Sequence, residues 1–418
     1  MKKRIAGAAL AAALLTGCAP TSSAPEATGA DEKTGTLRVW LFDEPNRAPK
    51  EKVVQDAIKE FTAAHSGVTV DVQYIAVETR GERFKGAFND PASAPDVVEF
   101  GNTDLAEYVD AGGLADLTAD LTGWSEGADL GSGLRDSATV DGKTYALPWW
   151  VGVRALYYRT DVFAALGLKP PATMAELTTT ARAIRKARPE LFGVAVGGKY
   201  TFGALPFVWA NGGDITSLDS APSRAGVTAY TDLLKADNCP PQQCADLTGG
   251  KTVDLFAAGR AGMGIIGNFN HAAVDAGVAK GKYAVVPLPG TTAGSIAPAF
   301  AGGNNLGLMR NTKRHTLAAD FLKLLGGRKY QLRMYDAMGN LPTLTSARTE
   351  LAAKDPFLKP FLDTIASGTK FVPIDPGWGK IDSQAVIPTM LQSIVTGKSS
   401  VDAATGQAAT AVKAALQK

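Results

Sequence analysis

The chain predicts an α/β fold with room for two domains, and three observations carry that expectation. Apolar runs of strand length alternate with segments whose apolar residues recur at helical spacing. The 418 residues, 45% hydrophobic and 20% charged, have the balance of a globular protein too long for one ordinary domain. No internal repeat of solenoid length interrupts the alternation.

The elements follow in order. "TLRVWLF" (36–42) is a nearly continuous apolar run, as expected of a parallel strand covered on both faces. Val53, Val54, Ala57, Ile58 and Phe61 then fall at helical spacing, with Gly67 where a C-terminal cap belongs. "VTVDVQYI" reads as a second strand and "APDVVEF" as a third, followed by a short helix from Leu105 to Ala111 that stops at Gly112 and Gly113. This alternation predicts an open, mainly parallel sheet. A new unit starts near Tyr145. "TYALPWW" and "VRALYYR" read as extended, and Thr173 with Glu176 forms a capping box opening the helix "MAELTTTARAIRKA". "FGVAVG", a helix from Ala225 to Lys235, "VDLFAAG", "AGMGIIG" and "KYAVVPLP" continue the pattern. From Gly302 the strand "NLGLM" and the helix "HTLAADFLKLLGG" return to sheet building, and the last third is helical.

The N-terminus has a separate logic. Lys2, Lys3 and Arg4 precede an apolar stretch from Ile5 to Leu15 that is too short to span a bilayer, so residues 1–17 read as an export signal. Leu15-Thr16-Gly17-Cys18 resembles a bacterial lipobox, which makes Cys18 the expected site of lipid attachment rather than a core cysteine. Residues 18–35, rich in Pro, Ser, Thr and Gly, read as a flexible tether. Loss of Lys2, Lys3 and Arg4 with the signal leaves 40 Lys and Arg against 41 Asp and Glu. A body so close to neutral argues against a nucleic-acid partner. Cys239 and Cys244, five residues apart in an exported chain, are expected to form a disulfide of local effect.

Several stretches, in order, resemble the extracellular solute-binding proteins of carbohydrate ABC transporters, the family that includes maltose-binding protein. They are "PDVVEFGNTDLAEYVDAGGLADLT", "YALPWWVGVRALYYRTDVFAALGLKPPATMAEL", "LFAAGRAGMGIIGNF", "FAGGNNLGLMRNTKRHTLAADFLKLL" and "VPIDPGW". The "GNTD" stretch is similar to lipoproteins handling chitobiose-like and other oligosaccharides in Gram-positive actinobacteria. The resemblance implies a two-lobed fold of the periplasmic-binding-protein type, with a hinge of several crossings and ligand held between the lobes. It divides the chain into an N-terminal lobe of 36–148 plus 303–342 and a C-terminal lobe of 149–302 plus 343–418. It also implies a non-catalytic monomer that hands a di- or oligosaccharide to membrane permease subunits and needs no cofactor.

A saccharide presents apolar C–H faces and a rim of hydroxyls, so its receptor needs aromatic plates and planar hydrogen-bonding groups. At predicted strand ends the polar candidates are Asp43 and Glu44, then Asn102 and Asp104, and later Asn268 and Asn304, with Gly303 allowing close backbone approach. Asp43 reads equally as a helix-start acid, and Asn102 or Asp104 as an N-cap. The aromatic candidates are Phe42, Trp150 with its neighbour Trp149 as rival, Tyr200, Phe202, Phe269 and Trp378. Trp378, in a Pro-Gly turn, is the leading one. Trp40 and Trp209 read as packing residues. Arg154 either clamps hydroxyls or ties the lobes together.

Other chemistries find little support. The segment "TGGKT" (248–252) ends like a phosphate loop, but the required first Gly is Ala245. His65, His271 and His315 lack metal-ligand spacing and read as surface residues. The alternative function is a secreted carbohydrate-active enzyme, which needs two carboxyl groups flanking a bond, drawn from Asp43, Glu44, Asp96 and Glu99.

Overall fold

The structure, a computed structural model, describes residues 31–44, 47–90 and 92–416. The expected signal, Cys18 and the tether up to residue 30 lie outside the described residues. The end of the expected tether is tied down: Glu32 N–H donates to Lys313 O (2.7 Å), and Arg314 Nε donates to Thr34 O (3.1 Å).

The described residues contain fourteen strands. In chain order β1 is Gly35–Asp43, β2 Val68–Ala76, β3 Val97–Gly101, β4 Thr139–Val140, β5 Lys143–Thr144, β6 Leu147–Gly152 and β7 Arg154–Arg159. Then follow β8 Phe192–Ala195, β9 Ala261–Gly267, β10 Tyr283–Val286, β11 Ala299–Phe300, β12 Gly302–Leu308, β13 Leu341–Pro342 and β14 Thr369–Lys370. One sheet has the order β13-β6-β12-β3-β1-β2, and a second β10-β7-β9-β8. Two further pairs, β11 with β14 and β4 with β5, stand apart.

The apolar run of β1 behaves as its composition requires. Leu37, Val39 and Leu41 enter a core shared with the helices Ala48–Ala64 and His315–Gly326, while Phe42 enters a second cluster with Phe84, Val98 and Phe100 on the opposite face. The four-stranded sheet builds the other lobe's core from Leu156, Tyr157, Val194, Met263 and Ile265. Three crossings join the sheets. Val153 links β6 to β7, Ala301 links β11 to β12, and the chain leaves β13 for the helix Thr345–Lys354.

Two expectations need correction. The sheets are mixed rather than mainly parallel: β1 pairs parallel with β2 and β3, and β8 with β9, but β12 runs antiparallel to β3 and β6, and β7 to β9 and β10. The returning strands reverse direction because they arrive from the other lobe rather than over a helical crossover. The lobe boundary expected at 148/149 falls inside β6, which belongs wholly to the first sheet.

Local signals are reproduced closely. Thr173 Oγ1 accepts the Glu176 N–H (3.1 Å) at the start of the helix Met174–Ala187. Thr248, in the segment that mimics a phosphate loop, caps the helix Gly249–Ala257. Cys239 and Cys244 are joined in a disulfide with Cα atoms 5.9 Å apart.

One buried ionic cluster ties the carboxyl ends of β1 and β3 to the first helix. Lys50 is 1% exposed, and its Nζ donates to Glu99 Oε2 (2.8 Å), Glu44 Oε1 (3.1 Å) and Phe42 O (3.2 Å). Glu99 Oε2 also accepts the Phe42 N–H (2.8 Å). Burial alone would lower the Lys50 pKa, but Glu99 and Glu44 outweigh it and hold the ammonium above its ordinary value. Lys50→Met leaves a buried carboxylate without its counter-charge, so urea unfolding should show a loss of about 3–5 kcal/mol, with the denaturant slope unchanged. A loss within the scatter of surface mutations would show that the cluster carries no stability.

At the other end of the first lobe, His315 Nε2 lies 2.9 Å from Asp120 Oδ2. The hydrogen bond to Asp120 raises the His315 pKa above 6.5, against an opposing effect of burial. Because the folded pKa exceeds the unfolded one, the stabilisation is complete below about pH 6.5 and fades as pH rises through the folded value. The gap in melting temperature between wild type and His315→Ala should therefore narrow between about pH 5.5 and about pH 8.5. A gap that stays constant over that range would contradict it.

Candidate ligand-binding cleft

The strand ends open onto a cleft of about 1520 Å³ between the two sheets. β1 brings Phe42 and Glu44 to it; β3 brings Gly101, Asn102 and Thr103; and the crossing strands bring Trp150, Gly303 and Asn304. From the second lobe come Asn268 and Phe269, just past β9, and Phe202 from the helix Thr201–Ala210. A separate hollow of about 220 Å³ behind Leu121 and Pro148 contains none of the candidate residues.

Antiparallel pairing of β6 with β12 sets the floor. Asn304 stands opposite Trp150, and a register shift follows between Asn304 and Asn305. Gly303 has φ +151°, and a Cβ there would lie 2.1 Å from Trp150 O, so only glycine lets the two strands approach. Alternation along β6 separates the two tryptophans. Trp149 is 1% exposed and donates from Nε1 to Leu325 O (3.2 Å) in the core, while Trp150 lines the cleft.

The second lobe supplies the other plates. Phe202 and Phe300 stack with ring centroids 4.3 Å apart, and both line the cleft. Phe269 lies against Gly267, where a Cβ would come within 2.4 Å of its ring. Behind these rings stands Arg154. Its guanidinium carbon is 5.5 Å from the Tyr200 and Phe202 ring centroids and 5.6 Å from that of Phe269. Arg154 Nε donates to Tyr200 Oη (2.7 Å), which donates in turn to Ile265 O (3.0 Å). Arg154 and Tyr200 are not among the residues that line the cleft. Arg154's contacts lie within the second lobe, where it buttresses the rings.

Three further candidates are placed away from the cleft. Trp378 is 2% exposed and packs in the second lobe's core. The turn before it is pressed against the C-terminal helix Val401–Leu416, since a Cβ on Gly377 would lie 2.0 Å from Ala415 O. Asp43 faces outward and pairs with Arg47 (3.2 Å). Asp104 is held by Arg80, with Nε 2.8 Å from its Oδ2, and it is Arg80 and Thr103 that reach the cleft.

The remaining polar groups are anchored. Asn102 Nδ2 donates to Ala301 O (2.8 Å), and Asn304 Nδ2 to Glu99 Oε1 (2.6 Å). Asn268 is spent on the hinge, accepting the Val153 N–H (3.0 Å) and donating to Gly339 O (3.2 Å). Burial raises the Glu44 pKa; Lys50 opposes the rise and Glu99 adds to it. The sequence reading passed over Phe300, Arg80, His271, Asp275 and Asp336, all of which line the cleft. His271, expected at the surface, stacks on Phe357 with ring centroids 3.9 Å apart. No periodicity marks these residues. Phe300 alone had a signal, its place beside the glycines of a crossing.

This geometry can hold a neutral, hydroxylated ligand between flat apolar rings and a rim of amides. The comparisons agree with the architecture. DasA, a diacetylchitobiose binding protein of Streptomyces coelicolor, is 29% identical over 401 residues, covering 90% of this chain and 89% of the relative. Among solved structures, the sugar-binding protein MalE of Xanthomonas citri superposes with a TM-score of 0.80 at 23% identity, covering 91% of this chain and 97% of its own. The GacH receptor of Streptomyces glaucescens, solved unliganded and with acarbose, does so with a TM-score of 0.78 at 22% identity, covering 92% and 98%. Both share the two-lobed fold. Residues 56–360 match the family described as bacterial extracellular solute-binding protein, and the chain belongs to that family.

Proposed function

We propose that the protein is the substrate-binding lipoprotein of an ABC importer, which captures a di- or oligosaccharide in the cleft and delivers it to the membrane permease. The observation that carries this reading is the meeting, in one cleft, of aromatic plates (Trp150, Phe202, Phe269 and Phe300) with anchored amides (Asn102 and Asn304). That is the pairing of surfaces a sugar requires. The cleft volume exceeds the roughly 300–1,000 Å³ of ordinary small-ligand sites, which favours more than one sugar ring. Similarity to a diacetylchitobiose binding protein supports the same class.

In this reading ligand bridges the lobes and favours a closed state that the permease recognises, a population shift driven by differential affinity. The N-terminal lobe comprises 36–152 plus 303–342, its expected end at 148 moved to the end of β6, and the C-terminal lobe the remainder of the folded chain. Cys18 carries the lipid that holds the protein outside the cell membrane, and the protein acts as a monomer. No helix of the described residues is long and apolar enough to cross a membrane.

A receptor rather than an enzyme is favoured by the fate of the four carboxylates considered for hydrolysis. Asp96 accepts the Arg38 N–H (2.8 Å) and the Thr312 hydroxyl (2.6 Å), Glu99 is consumed by the Lys50 cluster, and Asp43 faces outward. Glu44 alone of the four lines the cleft.

Titration calorimetry with chito-, malto-, cello- and xylo-oligosaccharides should give saturable binding of at least one, without turnover. Product formation would replace the receptor by an enzyme. Trp150→Ala should weaken that binding by about tenfold or more. Trp378→Ala should instead cost about 3–5 kcal/mol of stability and leave affinity per folded molecule unchanged. A Trp378 variant that unfolds normally but has lost its ligand would reverse the placement of these two residues.

A further inference from the structure

The cleft's first-lobe wall has a fixed hydrogen-bonding sense, and the residue that fixes it does not line the cleft. Glu99 is 0% exposed and, as a carboxylate, can only accept. Its Oε2 takes the Phe42 N–H and Lys50 Nζ, and its Oε1 takes Asn304 Nδ2 at 2.6 Å. The Asn304 amide therefore has one possible orientation: nitrogen toward Glu99, with Oδ1 left for the cleft it lines. Among the described residues no protein group donates to that oxygen. Asn102 is turned the same way by an independent acceptor, since its Nδ2 is held by the Ala301 carbonyl. The two amides are neighbours, because Asn304 pairs with Gly101 across β12 and β3. Glu44 adds a carboxylate to the same wall, with Lys50 on only one of its oxygens. The cation on this side is paired: Arg80 donates to Asp104 from Nε and Nη2 and to Val77 O from Nη1, which balances its charge and leaves one N–H on each Nη.

We infer that Glu99 is a positioning residue that turns the Asn304 amide oxygen to the ligand, adding it to the acceptors Asn102 Oδ1 and Glu44 on this wall, so that the protein selects saccharides offering hydroxyl or acetamido N–H donors over saccharides carrying a carboxylate. The inference rests on the sugar-binding reading and narrows its substrate class. It also predicts a reversal. In Glu99→Gln the side-chain oxygen must stay with the Phe42 N–H and Lys50, which only donate. The new NH₂ then faces Asn304, whose amide has to turn and present its own NH₂ to the ligand.

Two measurements on the full folded chain test this. The first needs no ligand. Side-chain amide NMR, with the Asn304 signal assigned by its absence in Asn304→Ala, should show slow exchange with water in the wild type and fast exchange in Glu99→Gln. Fast exchange in the wild type overturns the orientation. The second is calorimetry with diacetylchitobiose, maltotriose, cellotriose, xylotriose and a disaccharide ending in glucuronate. The best neutral sugar should bind the wild type at least about tenfold more tightly than the glucuronate sugar, and Glu99→Gln should narrow that ratio. Should Glu99→Gln fail to fold, Asn304→Ala serves, since Glu99 keeps two of its donors. It should weaken the neutral sugar about tenfold and the glucuronate sugar less. An unchanged ratio in the folded variant overturns the inference. Slow amide exchange with no sugar bound by the wild type would instead reject the sugar reading and leave the amide orientation standing.

Discussion

The antiparallel pairing of β6 with β12 is the constraint on which the rest of the molecule depends. Both strands are crossings between lobes, so their contact determines where the hinge lies and what forms the cleft floor. The pairing is possible because Gly303 leaves the space beside Trp150 O empty. Once it forms, the pleat sends Trp149 into the core and Trp150 to the cleft, and sets Asn304 opposite Trp150. A side chain at 303 would separate the strands and disturb the plate and the amide together.

Around that floor the two lobes use different physics. The first lobe positions polar groups by hydrogen bonds, with Glu99 receiving a backbone N–H, an ammonium and an amide at the ends of three elements. Such a cluster is costly to desolvate and tolerable only because every partner is satisfied. The second lobe positions apolar plates. There Arg154 lies against Tyr200, Phe202 and Phe269, so a charged residue supports the rings.

The misplaced candidates share one cause. Trp378 in a Pro-Gly turn had the appearance of an exposed plate, yet the C-terminal helix closes over that turn from far along the chain. Asp43 and Asp104 occupy strand ends as expected but found cations nearby, Arg47 and Arg80, and their neighbours Glu44 and Thr103 reach the cleft instead. Arg154 and Tyr200 stand close to the right place but one layer behind it. In each case the residue type was suited to the chemistry, and a contact with a partner that the residue's own pattern does not mark decided its direction, four residues on for Asp43 and far along the chain for Trp378.

The sequence by itself determined what local physics can encode. The Thr173 cap and the close cysteine pair are satisfied by neighbours within a few residues, and the apolar run of β1 needs only burial on both faces, whichever elements supply it, so these patterns survive translation into structure. Tertiary structure alone decided strand direction after the crossings, the choice of Trp150 over Trp378, and the orientation of the Asn304 amide. Those outcomes depend on which distant groups share a sheet, a core or a carboxylate, and a pairing across two hundred residues leaves no period in either partner.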